Sequence, residues 1–432
     1  MKILILILTS IVLTANSEEL TLHEAQQLLF QNNLDIASKQ KEVEKAKWDI
    51  SEGYSIWYPS FDFYSNYTYF SEKNEIQYPP EFSAVVPVLQ KPITLGTNYK
   101  AEFGVDIYYP IFTGFNRIYN INSRRWNKEL TESSLKATSN RASYTLGLIY
   151  MRWYFSYQQQ IVWKKHISYL EEYLRQTEEL SQGGVVAPVK VIEARARLKA
   201  AQVDHLESVQ QSDSIAREIS DLIMVNGDDI KPQSGNFIYD SISIPASIDS
   251  TRAELKMIQF NQNQLNESSK SISAQRFPTL AALAGYRVAN PGLNLGGDQF
   301  MDYFIFGVQL KWNIFNGFKN RAQRMGLEKQ IENLQINESK NIDYWNRSLA
   351  NYKMDLYRAQ QKIDAAELSV KAADELVQSL AVSLRAGVVT SVDYLYALNS
   401  LAAADLKLQQ AIFQKRISII NALYASGTVL QY

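Results

Sequence analysis

Two periods alternate along the chain. Between Trp57 and Ser71, Phe61, Phe63, Tyr67 and Tyr69 fall on one parity and Asp62, Asn66 and Thr68 on the other. That is the period-two alternation of a strand with one apolar face. From Asn98 to Phe112 the pattern returns, with Tyr99, Ala101, Phe103, Val105, Ile107, Tyr109 and Ile111 opposite Asn98, Lys100, Glu102 and Asp106. Residues 72–96 hold Pro79, Pro80, Pro87 and Pro92 and read as an exposed loop. Residues 56–113 therefore form one long hairpin. A second hairpin covers 277–316: Leu280, Ala282, Ala284, Tyr286 and Val288 share one face, as do Phe304, Phe306, Val308, Leu310, Trp312 and Ile314.

Elsewhere the period is helical. Residues 18–55 read as N-terminal helices, starting near Thr21 or Leu22 and restarting at Asn33, and 251–276 as another helix. No proline lies between Pro110 and Pro188, so a helix from about Phe115 to Gln182 would run roughly 100 Å and need partners along its length. Gly183 to Pro188 ends it, and a return helix reaches about Val225. Residues 114–226 are thus one helical hairpin with its tip at 183–188. Residues 317–432 form a second, with its tip at 387–391, and no proline follows Pro291. The intervening 227–250, with Gly227, Pro232, Gly235 and Pro245, reads as a break with a short strand around Phe237 to Ile244 or as a small packed domain.

The halves share an offset. Ile111-Phe112-Thr113-Gly114-Phe115 returns as Ile314-Phe315-Asn316-Gly317-Phe318, and Gly184-Val185-Val186 as Gly387-Val388-Val389, each 203 residues later (315 − 112 and 387 − 184). The 72 residues between these landmarks (184 − 112 and 387 − 315) keep their length, as a continuous helix would. The hairpins differ: Pro59 to Phe112 spans 53 residues and Pro278 to Phe315 spans 37, so the first is longer by 16 (53 − 37).

Composition turns this pattern toward a membrane. Lys2, the apolar run Ile3 to Leu13 and Ala15-Asn16-Ser17 read as a secretory signal over 1–17, cut after Ser17. No other apolar run is long enough for a transmembrane helix. Cys is absent, which excludes disulfides, thiolate metal sites and a lipid-modified cysteine. Net charge is −1, so no general basic field points to nucleic acid. Aromatics are abundant, with 26 Tyr and 18 Phe.

An exported strand with one apolar and one polar face is either a half-buried sheet or the wall of an outer membrane barrel. Strand length, aromatics near the strand ends (Trp57, Tyr58, Tyr108, Tyr109, Phe112, Trp312, Phe315) and charged polar faces favour the barrel. Four strands cannot close one, so protomers must pool strands: eight from a dimer or twelve from a trimer.

Segment by segment, the chain resembles the TolC family of outer membrane efflux proteins. Leu384 to Asp393, continuing into Ala397, Leu401, Ala403 and Ala404, resembles the second helix-tip motif of that family. Gly184 to Ala201 is a weaker first copy, Tyr109 to Phe115 and Trp312 to Phe318 resemble its strand-to-helix junctions, and Asn421-Ala422-Leu423 with Gly427 its closing motif.

The resemblance implies a mixed α and β membrane fold: a homotrimeric twelve-stranded β-barrel in outer membrane lipid, continuing into a periplasmic α-helical barrel, with 227–250 as the equatorial segment. It implies a passive exit duct in the outer membrane of a Gram-negative-type bacterium, exporting small molecules. The tips would dock a periplasmic adaptor that couples the duct to an inner-membrane pump, with adaptor contacts at Gly184, Val185, Val186, Gly387, Val388 and Val389. It places a periplasmic gate at Asp393, with Tyr396 where a second acid can stand. Lys190 is offset from Asp393 by 203 (393 − 190), and Lys190–Asp393 pairs between neighbouring helix pairs are expected to help hold the gate closed. A type I protein secretion channel of the same fold, or a soluble periplasmic coiled-coil adaptor, are the other readings.

No enzyme is expected. His23, His166 and His205 are scattered without metal-ligand spacing, Gly183-Gly184 lacks the rest of a phosphate loop, and neither cofactor nor metal is implied.

Overall fold

The computed structural model describes residues 19–76, 78–79, 81, 93–225, 231–233, 243–294, 297–386 and 388–428. The expected signal segment 1–17, most of the 72–96 loop between residues 77 and 92, Gly387 and most of 227–250, including the strand sought at Phe237, lie outside them.

Eight strands and seven helices of the described residues follow in the order β1 (Glu19–Leu20), α1 (Leu22–Asn32), α2 (Leu34–Ser55), β2 (Ser60–Tyr69), β3 (Asn74–Ile76), β4 (Ile93–Leu95), β5 (Tyr99–Phe112), α3 (Asn116–Gln182), α4 (Pro188–Ile223), β6 (Lys231–Pro232), α5 (Ala253–Ala274), β7 (Thr279–Asn290), β8 (Met301–Lys311), α6 (Lys319–Arg385) and α7 (Ser391–Ser426). Helices α3 and α6 each hold 67 residues, and α4 and α7 each hold 36. Their starts and ends are all 203 apart (319 − 116, 385 − 182, 391 − 188, 426 − 223). No helix of the described residues is long and apolar enough to cross a membrane.

The chain divides into two compact units. One comprises Met1–Lys41, Glu132–Lys256 and Asn337–Tyr432; the other Glu42–Thr131 and Met257–Ile336.

The first unit is helical and holds the cores. Thr21 opens α1 through a capping box: its hydroxyl accepts from the Glu24 backbone amide at 3.0 Å, and Glu24 accepts from the Thr21 amide at 2.9 Å. Asn33 separates α1 from α2, its Oδ1 accepting from the amides of Asp35 and Ile36. One core packs Leu22, Ala25 and Leu29 of α1 against Leu146, Tyr150 and Trp153 of α3, Ile215, Ile219 and Ile223 of α4, and Ile419, Ile420 and Leu423 of α7. Burying side chains of this size stabilises by about 1.5–3 kcal/mol each. A second core, toward the tips, joins Leu170 and Tyr173 to Ala194, Ala201, Leu395, Leu398 and Leu401. Its small residues on α4 and α7 let neighbouring helices approach closely. The described ends of 227–250 include β6, which pairs in parallel with β1.

The second unit is built on a four-stranded antiparallel sheet in the order β2-β5-β7-β8. Its two hairpins are joined by the β5–β7 pairing, so β2 and β8 are the edges. In the expected loop, β3 and β4 form a separate two-stranded ladder, pairing Asn74 with Leu95 and Ile76 with Ile93. Beta-branched and aliphatic residues at 76, 93 and 94 give that short pairing its strand preference.

The junctions from strand to helix share a conformation. Gly114 and Phe115 have φ of 62° and 69°, and Gly317 and Phe318 have 65° and 64°. Two consecutive left-handed residues turn the chain sharply, and the second being phenylalanine carries a cost that glycine would not. In both junctions the ring folds back on the phenylalanine three residues before it: Phe112–Phe115 and Phe315–Phe318 meet edge to face at 5.3 and 5.4 Å.

Candidate functional site

Strand register sorts the sheet's side chains into two faces. Directly paired residues share a face, so Phe61–Ile107–Ala284–Phe306 and Phe63–Val105–Tyr286–Phe304 are rows across the apolar side. Among the described residues much of this face is uncovered: Phe306 is 78% exposed and Phe63 72%. Contiguous exposed apolar area of this kind marks a surface made for lipid or another chain.

The other face carries the charges. Its rows run Asn66–Glu102–Ala289, Tyr64–Gly104–Arg287 and Asp62–Asp106–Gly285. Arg287 reaches diagonally across the sheet to Glu102 at 3.2 Å and Asp106 at 3.3 Å. Glu102 also pairs with Lys100 at 3.0 Å and accepts from the Tyr64 hydroxyl at 3.1 Å.

The aromatics proposed as a girdle divide between the faces. Tyr109 pairs with Ala282 on the apolar side, but Tyr108 pairs with Ser60 and Leu283 on the charged side, so the two tyrosines cannot serve one lipid-facing belt. Phe112 pairs with Leu280 on the apolar side because the register shifts between Pro110 and Phe112. Such a shift adds one residue on one strand, which strict alternation does not foresee. Trp57 and Tyr58 lie in the turn before β2. The Arg117 guanidinium stacks over Trp57 at 5.0 Å, and Trp312 donates to the Arg276 carbonyl at 3.0 Å. Phe315 is exposed beside Phe318.

At the first helix tip, Gly184 takes φ of 73° and the amides of Val185 and Val186 both return to the Leu180 carbonyl, at 2.9 and 3.4 Å. Val185 is exposed, and Pro188 starts α4 after an Ala187 that supplies no side-chain cap. At the second tip, the Val388 amide donates to the Ser383 carbonyl at 2.9 Å; Val388 is exposed and Val389 half-buried. Here Thr390 caps α7 through a box with Asp393: the Thr390 hydroxyl and amide donate to Oδ2 at 2.6 and 3.1 Å. These bonds hold the Asp393 carboxyl below the usual carboxylate range.

The structure does not bring Lys190 and Asp393 together within the chain. Lys190 pairs with Glu193, one helical turn on, at 2.9 Å. Glu193 stands 203 before Tyr396 (396 − 193), and that offset would have singled it out beside Lys190. Tyr396 is 73% exposed, while its neighbours Tyr394 and Leu395 are buried.

The outer membrane efflux protein family matches residues 25–223 and 245–426. The chain belongs to this family. No curated protein matches it. Among solved structures, this outer membrane efflux protein is similar to the CmeC outer membrane channel of Campylobacter jejuni (TM-score 0.76, 16% identity, 95% of this chain and 86% of that one). It is also similar to the outer membrane protein VceC of Vibrio cholerae (TM-score 0.73, 13% identity, 94% and 96%) and to the MtrE outer membrane channel of Neisseria gonorrhoeae in its open state (TM-score 0.74, 13% identity, 95% and 90%). At these identities the likeness is one of fold.

Proposed function

We propose that this outer membrane efflux protein is a passive exit duct for small molecules, formed by three copies that pool their sheets into a twelve-stranded barrel. The observation that carries the reading is the sheet itself. Its apolar face is exposed, its opposite face holds ion pairs, and its two edge strands β2 and β8 each lack a second neighbour among the described residues. Edges are not tolerated in lipid, so β8 of one copy would pair with β2 of the next. The apolar face would then meet lipid and the charged face a water-filled lumen.

The helical hairpins would extend into the periplasm. The exposed Val185 and Val388, with Gly184, Val186, Gly387 and Val389, would dock an adaptor joined to an inner-membrane pump. Asp393, Tyr396 and Lys190 would line the gate. Lys190 pairs with Glu193 and Asp393 accepts from Thr390 through Oδ2, so a Lys190–Asp393 pair between copies would add to these contacts through the remaining ammonium protons and carboxylate lone pairs.

The test is accumulation of a fluorescent cationic dye in a host stripped of its own outer membrane ducts, carrying this chain with the adaptor and pump encoded beside it. Lower accumulation, abolished by Val185→Asp with Val388→Asp at unchanged protein level, supports the reading. Unchanged accumulation together with a protein newly released to the medium would replace it with protein secretion.

A further inference from the structure

Arg287 lies flat against the sheet because the positions around it are small. It pairs across the strands with Gly104, where a Cβ would collide with the Tyr286 carbonyl oxygen and come within 3.3 Å of the Arg287 Cγ. Asp106 in turn pairs with Gly285, where a Cβ would stand 2.5 Å from the Asp106 Oδ1. Glycine weakens a strand, so its use here reflects the close approach of these long side chains to the backbone. Held this way, the Arg287 guanidinium reaches one carboxylate on either side of Gly104 and passes 5.5 Å above the Tyr64 ring.

The charges on this face do not balance without it. Asp62, Glu102 and Asp106 oppose Lys100, Arg287 and Lys311, a sum of 0 (3 − 3). Asp62 and Asp106 sit directly opposite one another, an unfavourable like-charge pair. Removing Arg287 leaves −1 per chain (2 − 3) and exposes Asp106, whose side chain is already 40% accessible.

We propose that Arg287 determines the charge selectivity of the outer membrane segment of the duct, by neutralising Glu102 and Asp106 against the wall. This rests on the reading that the charged face lines a lumen. Solutes crossing the wild-type segment meet a wide and nearly neutral wall, which suits passage of either sign of charge. Without Arg287, three copies would present a ring of Asp106 carboxylates stripped of their ion pair, which attracts cations and repels anions, most strongly at low salt.

The experiment is the reversal potential of single channels in a planar bilayer under a KCl gradient, for wild type, Arg287→Gln, Arg287→Lys and the triple variant Glu102→Gln/Asp106→Asn/Arg287→Gln. Arg287→Gln should raise the potassium-to-chloride permeability ratio by about twofold or more, increasingly so at lower salt. Arg287→Lys, which keeps the charge, should stay near wild type, and the triple variant, which also removes both carboxylates, should not raise the ratio. A conducting Arg287→Gln channel with the wild-type reversal potential would overturn the proposal and leave Arg287 a brace for the sheet. If wild type itself forms no channels, the lumen reading fails, and the selectivity proposal with it.

Discussion

Arg252 donates from Nη1 to the carbonyl oxygens of Tyr424 and Ala425, at 2.8 and 2.9 Å, so the start of α5 caps the end of α7. Asn33 does the same for α4 at the start of α2, donating from Nδ2 to the Leu222 carbonyl at 3.3 Å. Leu222 and Ala425 are 203 apart, while Asn33 and Arg252 are 219 apart, the same 203 plus the 16 extra residues of the first hairpin. Each junction satisfies carbonyls that a helix end leaves without a partner. The second does so with a buried charge, set 3.5 Å over the Trp345 ring and paired with Glu254 at 2.9 Å.

Arg252→Ala should therefore cost more than Asn33→Ala. The arginine side chain is 2% exposed, and its loss strips two charge-assisted bonds from buried carbonyls and a cation from Trp345. We expect about 2–4 kcal/mol for Arg252 and about 1 kcal/mol for Asn33. Thermal unfolding of the two variants side by side checks the order; equal shifts would show that the second junction carries no extra weight.

The strand-to-helix junctions look alike but should respond differently to alanine. At Gly114 an added Cβ would stand 2.7 Å from the Ala274 carbonyl oxygen and 2.9 Å from the Phe277 Cβ, while at Gly317 it would meet nothing within 4 Å. Both positions carry the left-handed penalty of about 1–2 kcal/mol, and only Gly114→Ala adds a clash. Gly114→Ala should lower the yield of folded protein well below that of Gly317→Ala, read by heat-resistant migration on gels.

His166 gives the helical unit a dependence on pH. The side chain is 5% exposed, and burial lowers its pKa despite a hydrogen bond donated to Asn399 and the charge of Asp204. The folded chain thus binds the proton less readily than the unfolded chain, whose histidine titrates near about 6.5. The contribution to stability is complete above that value and is lost as the pH falls below it toward the lowered folded value. His166→Gln should flatten the melting temperature between about pH 5 and 7. A variant that keeps the full wild-type slope would place the dependence elsewhere.

Thr390→Ala should loosen only the second tip. It removes the hydroxyl half of the capping box, leaves the residue 390 amide on Asp393, and moves the Asp393 carboxyl toward its ordinary range, whereas the first tip has no side-chain cap to lose. Hydrogen exchange at residues 391–394 should speed up several-fold, with residues 188–191 unchanged. Faster exchange at both tips would mean that the turns are coupled.

Much of this was readable from the chain because periodicity acts locally. Strand parity separates Phe61 and Phe63 from Asp62 before any partner is known, since a one-residue slip would turn every side chain over. Long proline-free runs and glycine turns likewise marked α3 and α6. What escaped depends on contacts between distant segments. The register shift before Phe112 follows from pairing with β7, some 170 residues on, whereas the charged-side placement of Tyr108 follows from its parity with Asp106. Arg252 reads as an ordinary surface cation until Tyr424 and Ala425 are brought to it. Glu193 as the partner of Lys190, and Thr390 as the cap partner of Asp393, likewise show only once the helix ends are folded.

The central claim is that separate copies pool their sheets. The direct test is the protein mass of the detergent-extracted assembly by light scattering, with bound detergent subtracted. Three mature chains per particle is the predicted result. A stable monomer would leave β2 and β8 as open edges and contradict the barrel, the lumen and the duct together.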